Sequence, residues 1–268
     1  MTAMLLHDRR VTVRTYLPAD YEWSGRDYRV LYMFDAHNLF DVRTSTYNQE
    51  WCIDETMESL SARGLEPAIV VGIDAPDDRF SRYAAYSIGD WGYRARPDGR
   101  VVRRIHGDGE ATAAFLLQQV KPATEQRYRV RTDRDGVGVS GSSMGGYMSL
   151  YCAARYPDLV SKVIAMSPVA LDHPMEGWRL REFLTGAGAT LPQRIWIDMG
   201  DDENLDYITS PQDLVDSLYV MRDTLVAAGH REVVAHVMAG AKHDERSWAS
   251  RFEQAYRWAF DGVEPGWG

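Results

Sequence analysis

The sequence predicts an α/β domain whose mostly parallel central sheet carries helices on both faces. Short apolar runs alternate with helix-like segments along the chain, which is typical of parallel strands joined by helices. The densest runs, such as residues 29–34, are almost entirely apolar, as expected for strands covered on both faces. A chain of 268 residues with 45% hydrophobic and 26% charged side chains is typical of one globular domain. We therefore expect a single domain over residues 1–268.

Each element follows from its own pattern of apolar residues. Residues 11–16 alternate in polarity and end at Leu17-Pro18, which predicts a half-exposed strand. Further strands are predicted at residues 29–34, 68–73, 137–140, 162–167, 194–199 and 232–237. Helices are predicted at residues 50–63, 108–130 with a break at Pro122, 146–156, 214–228 and 246–260. Ligands of such sheets bind beyond the carboxyl ends of the strands, so functional residues are expected in the loops that follow them.

Charge and hydropathy exclude several classes of function. The formal net charge is −9, so the chain lacks the basic face that nucleic acids and anionic membranes require. No apolar run approaches the ~20 residues that span a bilayer, and residues 1–10 lack the apolar stretch of a signal peptide. Cys52 and Cys152 are too few for a disulfide framework. We expect two buried, reduced thiols in a cytoplasmic protein.

The most specific motif is the G-x-S-x-G segment Gly141-Ser142-Ser143-Met144-Gly145. It lies between a predicted strand and a predicted helix, which is the context of a nucleophile elbow. In that turn a strained backbone lifts the serine oxygen clear of the sheet. The alternative is a tight turn or helix cap made of small residues. The flanking pattern favours the elbow, with Ser143 as the nucleophile, and with it the α/β-hydrolase fold.

A serine nucleophile needs a base, and the base needs an orienting acid. In this fold the chain order is serine, acid, histidine. Three histidines follow the strand predicted at residues 194–199. His230 precedes the last strand, at the wrong edge of the sheet, and His236 lies inside that strand, where a packed core role is favoured. His243 follows the carboxyl end of the last strand, so we predict that His243 is the base.

The acid is expected after the strand at residues 194–199. Four carboxylates lie in this stretch: Asp198, Asp201, Asp202 and Glu203. Asp198 lies inside the strand and is expected to face a neighbouring helix or the strand edge. Since the acid normally projects a few residues past the turn, here at Gly200, Glu203 is favoured and Asp202 comes next. Glu203, Asp202 and Asp198 all remain open at this point.

Two backbone donors are needed to bind the oxyanion that acyl attack creates. One is the N–H of Met144, directly after the nucleophile. The other is predicted in the loop that follows the strand at residues 29–34, at His37, whose imidazole could instead contact substrate. Asp35, His37 and Asp41 make an unpersuasive metal site, because nothing supplies a clear further ligand. Acyl-serine chemistry requires no metal and no organic cofactor.

With these residues in place, the chain resembles the Putative esterase family of α/β-hydrolases. This family includes esterase D-type enzymes, enterochelin (ferric siderophore) esterases, feruloyl and acetylxylan esterases, and mycolyltransferases. The resemblance is nearly full length, and its most specific parts are residues 32–41, residues 141–146, and residues 240–245 followed by Trp248. Ser167-Pro168 also fits.

The enterochelin-esterase-like subgroup, whose members often read HDGQNLFD in the first segment, resembles the chain most. Ala36 and His37 replace the glycine and the glutamine of that pattern, so a backbone donor is retained but inherited substrate contacts are not implied. The family's acid follows a G-x-x-D/E turn. Residues 200–203 match that turn, and the resemblance therefore favours Glu203.

Together these features predict a serine carboxylic-ester hydrolase that forms an acyl-serine on a small-molecule, siderophore or carbohydrate ester. An acyltransferase on the same site and a hydrolase-like binding module without turnover are the alternatives, and a peptidase or thioesterase remains open. Which ester is bound and whether the chain forms a homo-oligomer also remain open.

Substrate choice is expected to depend on two segments. Residues 168–193 are predicted to form a cap or lid insertion, in which Trp178 either stacks on an acyl group or sugar or packs the cap down. Arg79 and Arg82 follow the strand at residues 68–73 and either hold an anionic substrate or pair with Asp77 or Asp78. Arg82 and Trp178 are the residues that we expect to contact substrate.

Overall fold

Ten strands are found in the computed structural model, which describes residues 1–6, 9–87, 89–91, 103–168, 177–187, 192–204 and 210–266. The strands are β1 (Thr2–Leu6), β2 (Arg9–Tyr16), β3 (Val30–Phe34), β4 (Ile69–Ile73), β5 (Gly89–Trp91), β6 (Arg103–Ile105), β7 (Val137–Ser142), β8 (Lys162–Met166), β9 (Arg194–Gly200) and β10 (Glu232–Met238). β5 and β6 pair antiparallel as a separate small sheet. The other eight form the central sheet.

The order of strands in the central sheet is β1-β2-β4-β3-β7-β8-β9-β10. β2 runs antiparallel to β1 and β4, and every pair from β4 to β10 is parallel, so the predicted mostly parallel sheet is confirmed. The chain moves outward from β3 to β4 and then returns to β7 on the other side of β3. Loops that follow β3 and β7 therefore diverge, and the crevice between them is where such sheets bind ligands.

The helices are α1 (Tyr21–Ser24), α2 (Ile53–Ala62), α3 (Arg79–Arg82), α4 (Gly109–Ala114), α5 (Lys121–Arg127), α6 (Met144–Arg155), α7 (Gly177–Ala187), α8 (Pro211–Ala227) and α9 (Glu245–Asp261). Short 3-10 turns lie at Ala36–Asn38, Thr46–Asn48 and Arg134–Gly136. Within the described ranges, no helix is both long and apolar enough to cross a membrane.

Alternating residues of the strands contribute side chains to two hydrophobic cores, one on each face of the sheet. Val30, Tyr32 and Phe34 of β3 pack into the core that α4, α6 and α8 cover. Leu31 and Met33 pack into the opposite core, which α2 and α9 cover. Every residue of β3 is buried, which explains why this strand reads as a nearly unbroken apolar run. The predicted helices on both faces are confirmed.

Several details differ from the sequence predictions. β1, β5 and β6 were not predicted, and the helix after the elbow begins at Met144 rather than Gly146. The predicted break at Pro122 is absent, because a π turn at Phe115–Val120 joins α4 to α5 and accommodates a residue that has no N–H. Cys152 is buried and both cysteines are free, but Cys52 is only half-buried.

Part of the predicted cap segment lies outside the described residues. Its described part is mainly α7, which buries Leu180 and Leu184 in the core that α6 also joins. Phe183 of α7 stacks on Tyr151 of α6 with ring centroids 5.0 Å apart. Trp178 lies in the first turn of α7, and its side chain is outside the described part of the structure. The cap remains a prediction.

Candidate active site

Ser143 lies at the sharp turn between β7 and α6, in the backbone geometry that a nucleophile elbow requires. Its φ and ψ are 55° and −123°, a conformation that L-residues adopt only under strain of about 1–3 kcal/mol. Its N–H donates to the carbonyl of Met166 at 2.9 Å, which fastens the turn to β8. A Cβ at Gly141 would lie 2.7 Å from the carbonyl carbon of Gly145, so the motif's first glycine leaves the space for α6 to start there.

The loops that follow β9 and β10 are joined by backbone hydrogen bonds. The N–H of Asp201 donates to Met238, and that of Asp202 donates to Ala241, both at 3.2 Å. A Cβ at Gly200 would lie 2.1 Å from the carbonyl oxygen of Ala241, so only glycine permits this approach. The loop that carries the predicted acid is thereby fixed against the loop that carries the predicted base.

Glu203 and His243 form a hydrogen-bonded pair at this junction. Nδ1 of His243 lies 2.8 Å from Oε2 of Glu203, whose side chain has no solvent exposure. Burial, the largest influence, raises the pKa of Glu203, but hydrogen bonds from His243, from Ser167 and from the N–H of Gly200 hold the pKa below its usual value. Because the carboxylate accepts from Nδ1–H, Nε2 of His243 is left to accept a proton.

The other candidate acids have different partners. Asp201 accepts from the N–H of Gly240 at 2.6 Å, and Asp202 is exposed with the Nζ of Lys242 3.9 Å away. Asp198 is fully buried, as its position inside the strand suggested, and accepts from Arg251 at 2.9 Å. Of the three acids that the sequence left open, Glu203 is the one bonded to His243.

The predicted oxyanion donors both lie in the first turn of a helical segment. Met144 is the first residue of α6, and His37 is the second residue of the 3-10 turn that follows β3. The first N–H groups of a helix have no acceptor within the helix, so such groups are free to bind an anion. Asp35 makes the turn possible by taking the left-handed conformation at φ 58°. Since β3 and β7 are neighbours in the sheet, the two turns face the same crevice.

The imidazole of His37 is engaged with the protein itself. Nε2 lies 3.1 Å from the hydroxyl of Thr46, and Nδ1 accepts from the N–H of Ala75 at 3.4 Å. Burial lowers the pKa of His37, so the ring is neutral at pH 7. These contacts fix the loop and favour the backbone role of His37 over substrate contact by its side chain.

The two arginines that follow β4 each pair with an aspartate. Arg79 binds the carboxylate of Asp35 through two hydrogen bonds of 2.9 and 2.6 Å. Arg82 lies 3.4 Å from Asp108. The side chains of α3 thereby reach the loop after β3 and the loop before α4.

Sequence reasoning assigned no site role to three residues behind Glu203, namely Ser167, Trp248 and Arg251. The hydroxyl of Ser167 donates to Oε1 of Glu203 and accepts from Nε1 of Trp248 at 2.9 Å and from Arg251 at 2.8 Å. Trp248 is 5% exposed, and its ring also lies edge-on to that of His243. A signal for Arg251 existed, because it is a charged residue on the same helical face as Trp248 and Phe252.

In the described part of the chain no group of three or more His, Cys, Asp or Glu residues could hold a metal ion. The described residues instead hold a hydrogen-bonded Glu203–His243 pair in the loops after β9 and β10, and a strained turn at Ser143 after β7.

Comparison with known proteins identifies relatives of this chain. The family model described as Putative esterase matches residues 5–259. The uncharacterized protein YbbA of Bacillus subtilis is 20% identical over 256 residues, which are 94% of this chain and 93% of YbbA.

Solved structures confirm the predicted fold class. An IroE-like serine hydrolase from Shewanella oneidensis has a TM-score of 0.74 and 17% identity, over 97% of this chain and 78% of that one. A ferulic acid esterase from Anaeromyces mucronatus, crystallised in complex with ferulic acid, has a TM-score of 0.67 and 19% identity, over 98% of this chain and 92% of that one.

Proposed function

The chain belongs to the Putative esterase family and is an esterase, and we propose that it hydrolyses carboxylic esters through an acyl intermediate on Ser143. The observation that carries this mechanism is the 2.8 Å hydrogen bond between the buried Glu203 and His243. A buried carboxylate held ionised beside an imidazole is the arrangement that turns a histidine into a general base for a serine. Ser143, in the strained turn at the end of β7, is the serine that this base serves.

In the first half of the reaction, Nε2 of His243 takes the proton of Ser143 as Oγ attacks the ester carbonyl carbon. The carbonyl oxygen becomes an oxyanion, which the N–H groups of Met144 and His37 bind. As the tetrahedral intermediate collapses, the carbon–oxygen bond to the leaving alcohol breaks. His243 gives its proton to that alcohol, and the acyl group stays on Ser143.

In the second half, water replaces the alcohol. His243 takes a proton from the water molecule as the water oxygen attacks the acyl carbon. It then gives that proton to Ser143 as the carboxylic acid leaves. Glu203 keeps the imidazole oriented and stabilises its positive charge in both halves. Because Glu203 is shielded from water, its charge acts on His243 with little screening.

We place the substrates among small-molecule esters, with aromatic acyl, siderophore and carbohydrate esters as the classes to test. The likeness to a ferulic acid esterase and to an IroE-like hydrolase supports this choice. Residues 168–193, including Trp178, are proposed to lie over the acyl group as a cap. Arg82 is a weaker candidate for substrate contact, because its charge is paired with Asp108.

A fluorophosphonate probe tests the mechanism directly, since it phosphonylates a serine only when that serine is activated. We expect one equivalent of label on Ser143 by mass spectrometry, and none in Ser143→Ala. Ser142→Ala is the matched control, because Ser142 is the adjacent serine and should leave labelling intact. Labelling of another residue, or a folded protein that takes no label, would overturn the proposal.

A further inference from the structure

A cluster of buried polar side chains lies behind the proposed acid, on the side away from His243. Glu203, Asp198 and Arg251 each have 1% or less of their surface exposed, and so does Ser167. Burying two carboxylates and a guanidinium is unfavourable unless each charge is paired and hydrogen-bonded. The proposed mechanism uses only Glu203, so the other members need their own explanation.

The hydrogen bonds of Ser167 leave its hydroxyl one orientation. Its oxygen accepts from Nε1 of Trp248 at 2.9 Å and from the guanidinium of Arg251 at 2.8 Å, which uses both lone pairs. The hydroxyl proton is therefore directed to Oε1 of Glu203. The backbone of Ser167 is also fixed, because its N–H donates to the carbonyl and the carboxylate of Asp198, at 3.0 and 3.2 Å.

Both oxygens of Glu203 are thereby assigned. Oε1 accepts from Ser167 and from the N–H of Gly200, and Oε2 faces His243. Rotation of the carboxylate would break the first two bonds together. Since Glu203 has no solvent exposure, hydrogen bonds to bulk water cannot replace these two bonds, and the carboxylate stays in the orientation that serves His243.

Arg251 supplies charge balance and is held at a distance from the acid. Its guanidinium donates to Asp198 at 2.9 Å and lies 3.9 Å from Oε1 of Glu203. Asp198, Glu203 and Arg251 together carry one net negative charge, which an imidazolium at His243 would neutralise. The hydroxyl of Ser167 bridges Arg251 and Oε1 of Glu203, the oxygen that does not face His243.

We infer that Ser167 is a positioning residue for the acid, held by Trp248 and Arg251 so that its hydroxyl turns Glu203 toward His243. This role rests on the proposed function, because it presumes that Glu203 orients the base. The serine, acid and histidine are then supported by Ser167, directly after β8, and by Trp248 and Arg251 of α9.

Ser167→Ala removes the hydroxyl and tests this role. Loss of a hydrogen bond that orients a metal ligand commonly lowers activity about 10–100-fold, and a hydrogen bond that orients a catalytic carboxylate has the same kind of positioning role. We therefore expect kcat for 4-nitrophenyl acetate to fall about tenfold or more, with KM within about twofold, since substrate itself does not touch Ser167.

Ser161→Ala is the matched control, because Ser161 is an equally buried serine at the other end of β8. It also donates a buried hydrogen bond, to the carbonyl of Arg134 at 2.6 Å. A change in stability alone should lower both variants alike, and only Ser167→Ala should lose kcat.

Trp248→Phe is a second variant, for the case that Ser167→Ala does not fold. It keeps an aromatic ring beside His243 but removes the N–H that fixes Ser167, so kcat should fall several-fold. Trp258→Phe, in the same helix and buried to a similar extent, should retain the wild-type kcat.

Glu203→Gln distinguishes a failure of the positioning role of Ser167 from a failure of the proposed function. If Glu203→Gln is inactive while Ser167→Ala and Trp248→Phe keep the wild-type kcat, the role of Ser167 is refuted and the proposed function stands. If Glu203→Gln itself keeps the wild-type kcat, the acid of the proposed function is wrong.

Discussion

Replacing Glu203 by glutamine is the sharpest test of the acid, because the two side chains have the same shape. Oε1 of Glu203 faces two donors, the hydroxyl of Ser167 and the N–H of Gly200. A glutamine would place its oxygen there and turn its NH₂ toward Nδ1 of His243. Nδ1 would then have to accept, so the proton would move to Nε2, and His243 would lose the lone pair that activates Ser143.

The expected loss follows from this change of tautomer. The same kind of substitution in a serine protease lowers kcat about 10⁴-fold, which corresponds to roughly 5.4 kcal/mol of transition-state stabilisation. We expect a loss of about this size here, because Glu203 has no solvent exposure and no water can replace its carboxylate.

Hydrolysis of 4-nitrophenyl acetate at pH 8 measures kcat and KM, and circular dichroism checks the fold. Asp202→Asn is the control, because this substitution removes a neighbouring carboxylate that is exposed. It should retain the wild-type kcat within about twofold. A kcat for Glu203→Gln within tenfold of wild type, or an equal loss in Asp202→Asn, would refute the assignment of Glu203.

Three further outcomes follow from single contacts. Gly200→Ala should lower both Tm and kcat, because the new Cβ would lie 2.1 Å from the carbonyl oxygen of Ala241. Gly186→Ala in α7, where a new Cβ meets nothing within 4 Å, should lower neither in thermal melts and ester assays, since alanine favours a helix over glycine. Burial raises the pKa of Glu245, so the folded state favours the protonated carboxyl, and the ionised carboxylate destabilises the fold at higher pH. Glu245→Gln should therefore raise Tm at pH 8 and not at pH 4. An equal gain in Tm at both pH values would contradict this. His37→Gln should keep kcat within about threefold, since the proposed donor is the backbone N–H, and a loss above 100-fold would instead assign a role to the imidazole.

The strands that could be predicted are those whose burial dictates their composition. β3, β4 and β7 are buried along their whole length and read as apolar or small-residue runs, so their existence was predictable. β1 is an edge strand with four of its five residues exposed or half-exposed, so it has no such pattern. It forms because β2 offers an unpaired edge, and that pairing is not visible in a short exposed segment alone.

The candidate site divides in the same way between local and distant determinants. The strained turn at Ser143 could be predicted because glycines flank it, and the position of His243 could be predicted because it follows the last strand. Between Glu203, Asp202 and Asp198, the residues alone left the choice open, because adjacent carboxylates differ only in the direction that the turn gives them.

The residues behind the acid could not be predicted, since their roles depend on contacts between distant parts of the chain. Ser167 lies 36 positions from Glu203 and 84 positions from Arg251. Their meeting requires both the parallel register of β8 with β9 and the docking of α9 on the sheet. An arginine in a helix is normally exposed, so its place on the apolar face with Trp248 was the one local sign of a buried partner. A buried carboxylate that stays ionised needs donors to the oxygen that its histidine does not use. Ser167 and the N–H of Gly200 supply them to Glu203, and Trp248 and Arg251 in turn hold Ser167.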